Sequence, residues 1–137
     1  MSLFVDTAAW YAAADAGDRS HDRAKQVLAA GERLVTSDHV LAETWTLLRY
    51  RLGRPAAERF WEGLRSGAAA LEVVGAADLE AAWAIGEAFP DQDFSITDRT
   101  SFAVMQRLGI ERVASFDDHF AIYRYGRNRK RSFTVVR

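Results

Sequence analysis

The chain has 137 residues, 49% of them hydrophobic and 27% charged, the balance of a single globular domain and not of a disordered chain. Cysteine is absent, which excludes a disulfide framework, a thiolate nucleophile and cysteine-based zinc sites together. The net charge of −1 offers no global basic field of the kind that marks a nucleic-acid binder, and no apolar run approaches the ~20 residues a membrane helix needs.

The opening Met1-Ser2-Leu3-Phe4-Val5-Asp6 lacks the basic segment of a signal peptide, so a cytoplasmic location is expected. Its apolar run Leu3–Val5 reads as a first strand, with a helix starting at Thr7. Helical spacing follows in 20–30, and Leu34–Thr36 reads as a second strand. In 38–52, Leu41, Trp45, Leu48 and Leu52 recur at i, i+4, i+7 and i+11, one face of a helix. Segment 55–66 is helical in the same way, Leu71–Val74 is a third strand, and 76–88 and 98–108 are helices. Val113–Phe116 and Phe133–Val136 complete the strands. Gly31, Gly53, Gly67 and Gly109 fall where four of the helices would stop. Short strands alternating with helices predict an α/β class, a mainly parallel sheet covered by helices, in one domain over 1–137.

In open α/β sheets the ligand lies beyond the carboxyl ends of the strands. There the sequence places Asp6-Thr7 and Asp117-Asp118, with no glycine-rich loop for a dinucleotide or nucleoside triphosphate. Each acid has a structural reading. Asp6 and Asp117 fit helix N-caps, and Ser95-Ile96-Thr97-Asp98 is a capping box. Glu43 shares a stripe with Val40 and Leu47, so it is expected along the buried face with an arginine beside it. Two acids at strand ends and two on the apolar flanks of helices are compatible with one shared cleft, although spacing alone does not bring them together. Four converging carboxylates need a divalent cation, and hard oxygen ligands select Mg²⁺ or Mn²⁺ over zinc.

Several of these segments resemble the PIN domain: Val5-Asp6-Thr7, Glu43 in Leu41-Ala42-Glu43-Thr44, the block Asp93 to Phe102 followed by Gly109-Ile110, and Ser115-Phe116-Asp117-Asp118-His119-Phe120. The nearest branch is the VapC-type toxins of bacterial toxin–antitoxin pairs, over residues 3 to about 123. The resemblance implies a three-layer PIN-like sandwich and an endoribonuclease that cleaves RNA with a metal-activated water. It places one or two Mg²⁺ or Mn²⁺ on Asp6, Glu43, Asp98 and Asp117, the first and third as anchors, with Asp93 and Asp118 as acidic neighbours and Asp118 competing with Asp117 for the fourth place. It also implies a cognate antitoxin and a homodimer.

Thr7 reads as a hydroxyl near the site or as a plain turn residue. His21, His39 and His119 share no ligand-like spacing and read as structural or surface groups. The four tryptophans read mainly as core. Residues 124–131 hold Arg124, Arg127, Arg129, Lys130 and Arg131 with no acid, either a solvated loop or a phosphate grip beside the metals. Against the nuclease stand a receiver-like or phosphatase domain, weakened because neither Lys25 nor Lys130 follows a strand, and a catalytically silent PIN scaffold that binds protein.

Overall fold

A computed structural model describes all 137 residues. Seven helices and five strands follow one another as β1 (Ser2–Val5), α1 (Thr7–Ala14), α2 (His21–Leu28), β2 (Arg33–Ser37), α3 (Asp38–Leu52), α4 (Arg54–Arg65), β3 (Ala70–Glu72), α5 (Ala76–Ala88), α6 (Ile96–Leu108), β4 (Arg112–Ala114), α7 (His119–Ile122) and β5 (Thr134–Val136). A single 3₁₀ turn, Arg127–Arg129, precedes β5. The expected strands and helices are all present, with ends that coincide or shift by at most two residues.

The sheet runs β3-β2-β1-β4-β5, and every neighbouring pair is parallel. Strand order therefore reverses between β1 and β4. That is the switch point where helices leave in opposite directions and open a crevice at the carboxyl edge. Phe4 pairs with Val113 and Val5 with Ala114, so the residues just beyond, Asp6 and Ser115, emerge side by side.

Local chemistry fixes the helix ends. The Ser37 hydroxyl accepts from the Val40 N–H at the start of α3. Gly109 ends α6 in the left-handed region at φ 69°, a conformation that favours glycine. The predicted stop at Gly31 lies beyond the end of α2, which closes at Ala29. Strands and helices meet in a core of 21 buried residues that includes Leu3, Phe4, Val5, Phe102 and Val113. Phe102 stacks on Tyr123 with ring centroids 4.3 Å apart, joining α6 to the segment after α7. The tryptophans divide. Trp10 is buried, with its indole N–H on Thr36 Oγ1, and Trp45 is half-buried. Trp61 and Trp83 are exposed, because α4 and α5 turn those positions away from the sheet.

One polar anchor lies outside the cluster of acids around Asp6. Arg107 on α6 makes a bidentate pair with Asp78 on α5, at 2.9 and 3.0 Å, and reaches Glu72 of β3 at 3.1 Å. Asp78 is buried and also accepts from the Gly75 N–H. Removing the guanidinium strands a buried carboxylate, so Arg107→Ala is expected to cost about 2–3 kcal/mol in urea denaturation. The exposed Arg65–Glu62 pair sets the control, and Arg65→Ala is expected to cost under about 1 kcal/mol.

Candidate active site

Asp6 takes the N-cap position of α1, yet its side chain makes no capping bond. Its Oδ2 accepts instead from the Ser115 hydroxyl at 2.9 Å. Ser115 is fully buried, and its Oγ also accepts from the Asp117 N–H at 3.1 Å. One hydroxyl thus ties the end of β1 to the loop after β4. Asp6 is 4% exposed, and burial pushes its carboxyl up to about 7 against the lowering pull of Ser115 and the Thr7 N–H, with the charges of Asp98 and Glu43 adding to the rise.

Asp98 closes the expected capping box, with Ser95 Oγ accepting from its N–H and its Oδ2 accepting from the Ser95 N–H, both at 3.0 Å. It does more than cap. The same Oδ2 stands 2.6 Å from His119 Nδ1, so both of its partners fall on one oxygen. Burial raises the Asp98 carboxyl, opposed by those two hydrogen bonds. For His119 burial works against protonation, but the Asp98 hydrogen bond and the charges of Asp98, Asp117 and Asp93 outweigh it, and its value rises.

Asp117 Oδ1 accepts from the His119 N–H and lies 3.4 Å from His119 Nδ1. Asp118 turns outward to Arg137 at 3.0 Å, which favours Asp117 as the member of the cluster. Glu43 departs from expectation. The buried positions of α3 are Val40, Thr44 and Leu48, one residue off Glu43, so its side chain is exposed and no arginine pairs with it. It lines an open cleft with Thr7 and Thr97.

The PIN domain family matches residues 3–125. This chain is a PIN domain of the VapC type. It is 41% identical over 120 residues to the 23S rRNA-specific endonuclease VapC20 of Mycobacterium tuberculosis, covering 87% of this chain and 92% of the relative. Ribonuclease VapC26 of the same organism is 29% identical over 124 residues, covering 89% and 92%. The crystal structure of VapC20, described as a sarcin–ricin loop cleaving toxin, superposes with a TM-score of 0.83 at 39% identity, over 87% of this chain and 92% of that one. VapBC2 from Rickettsia felis, bound to promoter DNA, shares the fold at a TM-score of 0.65 and 12% identity, over 86% and 89%.

The PIN domain's donor set suits a hard divalent cation: carboxylate oxygens and a hydroxyl, with no sulfur. Two observations support the fit. Asp98 Oδ1 has no protein partner once Oδ2 is engaged. The buried Thr7 Oγ1, beside Glu43 on the cleft wall, has none either. The acids share one edge without forming a closed cage, since no three of the acidic and histidine side chains stand close enough to hold a metal ion as placed.

Two of the three histidines are structural as expected. His21 Nδ1 meets the Ala12 carbonyl, and His39 Nδ1 meets Thr100 Oγ1. His119 differs, because it joins the acid cluster. Its position two residues after Asp117, in a run of two acids beyond a strand, was the available signal.

The basic segment 124–131 does not sit beside the acids. It leads into the start of β5, and in an all-parallel sheet that is the opposite edge from Asp6 and Asp117. Arg124 bonds the carbonyls of Ala121, Ile122 and Tyr123. Arg129 lies 4.6 Å over the Phe89 ring. Arg131 pairs at 2.7 Å with Glu111, just before β4. Three of its five cations thus have partners within the fold. No helix is long and apolar enough to cross a membrane.

Proposed function

We propose that this PIN domain is the toxin ribonuclease of a toxin–antitoxin pair, with Mg²⁺ or Mn²⁺ held by Asp6, Glu43, Asp98 and Asp117 and the sarcin–ricin loop of 23S rRNA as its substrate. The observation that carries the reading is Asp6 at the switch point of the sheet, tied through Ser115 to the Asp117 loop, with Asp98 and Asp117 both facing His119, in a chain 41% identical to a 23S rRNA-specific endonuclease. A divalent ion bound there supplies Lewis-acid stabilisation of phosphate charge and a lowered pKa for water. Within the chain, Ser115 holds the Asp6 carboxylate, and Ser95 with His119 directs Asp98 Oδ1 away from the helix. The unpartnered Thr7 hydroxyl lies at the edge of the same cleft.

In this reading the protein works in the cytoplasm, as a homodimer, and is held silent by a cognate antitoxin. Co-expression with that antitoxin relieves the growth arrest the toxin causes. The direct test is digestion of intact ribosomes and of a sarcin–ricin hairpin RNA, with cut sites mapped by primer extension. A single cut in 23S rRNA that disappears in EDTA is expected. Undiminished cleavage in EDTA overturns the metal, and no cleavage of any RNA leaves a PIN scaffold that binds protein.

His119 gives a sharper measurement. An outer-shell partner of a metal ligand is typically worth 10–100-fold in metal affinity. His119→Ala is therefore expected to weaken Mn²⁺ binding by about that factor in calorimetry. His119→Asn, which keeps an N–H near Asp98 Oδ2, is expected to restore most of it.

A further inference from the structure

The cleft beside the acids extends well beyond them. It has a volume of about 780 Å³ and is lined by Glu43, Thr46, Leu47 and Tyr50 of α3 together with Thr7 and Thr97. The α3 residues sit at i, i+3, i+4 and i+7, which places them on one face. Tyr50 lies two turns from Glu43, about 10 Å along the axis. Folding makes little use of that ring, which is 85% exposed, while Leu48 two residues earlier is fully buried.

We propose that this cleft is a nucleotide subsite, in which Tyr50 stacks on the base of a nucleotide flanking the scissile phosphate. The proposal rests on the ribonuclease reading above. Its chemistry follows from the lining. No lysine or arginine faces the cleft, so it is poorly suited to a phosphate. A base is neutral, has a flat apolar face, and is not repelled by Glu43. Leu47 supplies apolar surface on the same face of α3. The buried Thr7 hydroxyl, without a partner in the fold, offers a hydrogen bond at the end nearest the acids. His39 is anchored on Thr100, which fixes the floor between α3 and α6. Continuity with the carboxylates selects RNA as the occupant, since a strand whose phosphate lies at Asp6 and Asp98 runs directly into the cleft. Stacking tolerates any base, so Tyr50 supplies affinity and position, and sequence choice lies elsewhere.

The test is fluorescence anisotropy with a labelled sarcin–ricin loop RNA, in Asp98→Asn protein with Mg²⁺ so that the RNA stays intact. Adding Tyr50→Ala is expected to weaken binding roughly 5- to 150-fold, the range carried by one base–aromatic stack. Tyr50→Phe keeps the ring and is expected to match the parent. The slope of log affinity against log salt is expected to stay unchanged in Tyr50→Ala, because no phosphate contact is lost. Light scattering is expected to give the same molar mass for all three proteins. Equal binding by Tyr50→Ala, or a flatter salt slope, overturns the subsite while leaving the ribonuclease reading intact. A fall in molar mass on Tyr50→Ala also overturns it, making this face a contact between copies. A parent that binds no RNA at all overturns the ribonuclease reading, and the subsite falls with it.

Discussion

In EDTA at pH 8, Asp6→Asn is expected to melt about 10 °C above the wild-type protein. Burial holds the folded Asp6 carboxyl up at about 7, against an ordinary value of 3.8, and each unit corresponds to about 1.4 kcal/mol. Because the folded value is raised, the folded state binds the proton more readily than the unfolded chain. Below pH 3.8 the residue is protonated in both states and costs nothing. Between 3.8 and 7 the unfolded chain ionises first, so stability falls as pH rises, and the loss levels off above 7 at about 4 kcal/mol. Asparagine keeps the oxygen that accepts from Ser115 and removes the charge. At 2–4 °C per kcal/mol for a domain near this size, the gain is about 10 °C. The two proteins are expected to converge at pH 3.5. Mn²⁺ is expected to raise the wild-type melting temperature as mass action requires and to shift the variant far less. An ordinary helix cap predicts almost no change, since asparagine caps as well as aspartate. A variant that melts at or below wild type at pH 8 rejects the buried-charge account.

The second large effect is on cleavage. Asp98→Asn is expected to reduce the rate on a sarcin–ricin hairpin by more than about 100-fold, while the far-ultraviolet circular dichroism spectrum stays native. Outer-shell partners are worth 10–100-fold, and loss of a direct ligand exceeds that. Asparagine preserves both hydrogen bonds of the capping box in geometry, so the helix remains and only the anionic oxygen is lost. A rate within a few-fold of wild type shows that Asp98 acts as a cap alone.

The fold was largely legible because its signals are local. Runs rich in valine, leucine and phenylalanine mark the strands, and Ser95 to Asp98 announces the start of α6. Asp6 and Asp117 are placed at the carboxyl edge because each directly follows a predicted strand. What stayed hidden depends on phase, direction and long-range contact. Glu43 lies one residue from the buried position Thr44, a rotation of about 100° that apolar spacing does not resolve. The position of 124–131 follows from β5 running parallel to β4, and no local pattern reports that. His119 meets Asp98 across 21 residues of sequence, a contact created by the packing of α6. Helical spacing reads the tryptophans mainly as core, yet α4 and α5 present Trp61 and Trp83 to solvent.

The Ser115–Asp6 hydrogen bond spans 109 positions of the chain, and that span sets when catalytic capacity can arise during synthesis. A domain folds as a unit, and pairings between distant segments form late because loop closure opposes them. Asp6 is translated almost first, but it gains its partner only when β4 slots in beside β1, near the end of translation. A half-made copy, however well its early helices hold together, carries no assembled carboxylate cluster. On the ribonuclease reading proposed above, a copy still being translated lacks the assembled site.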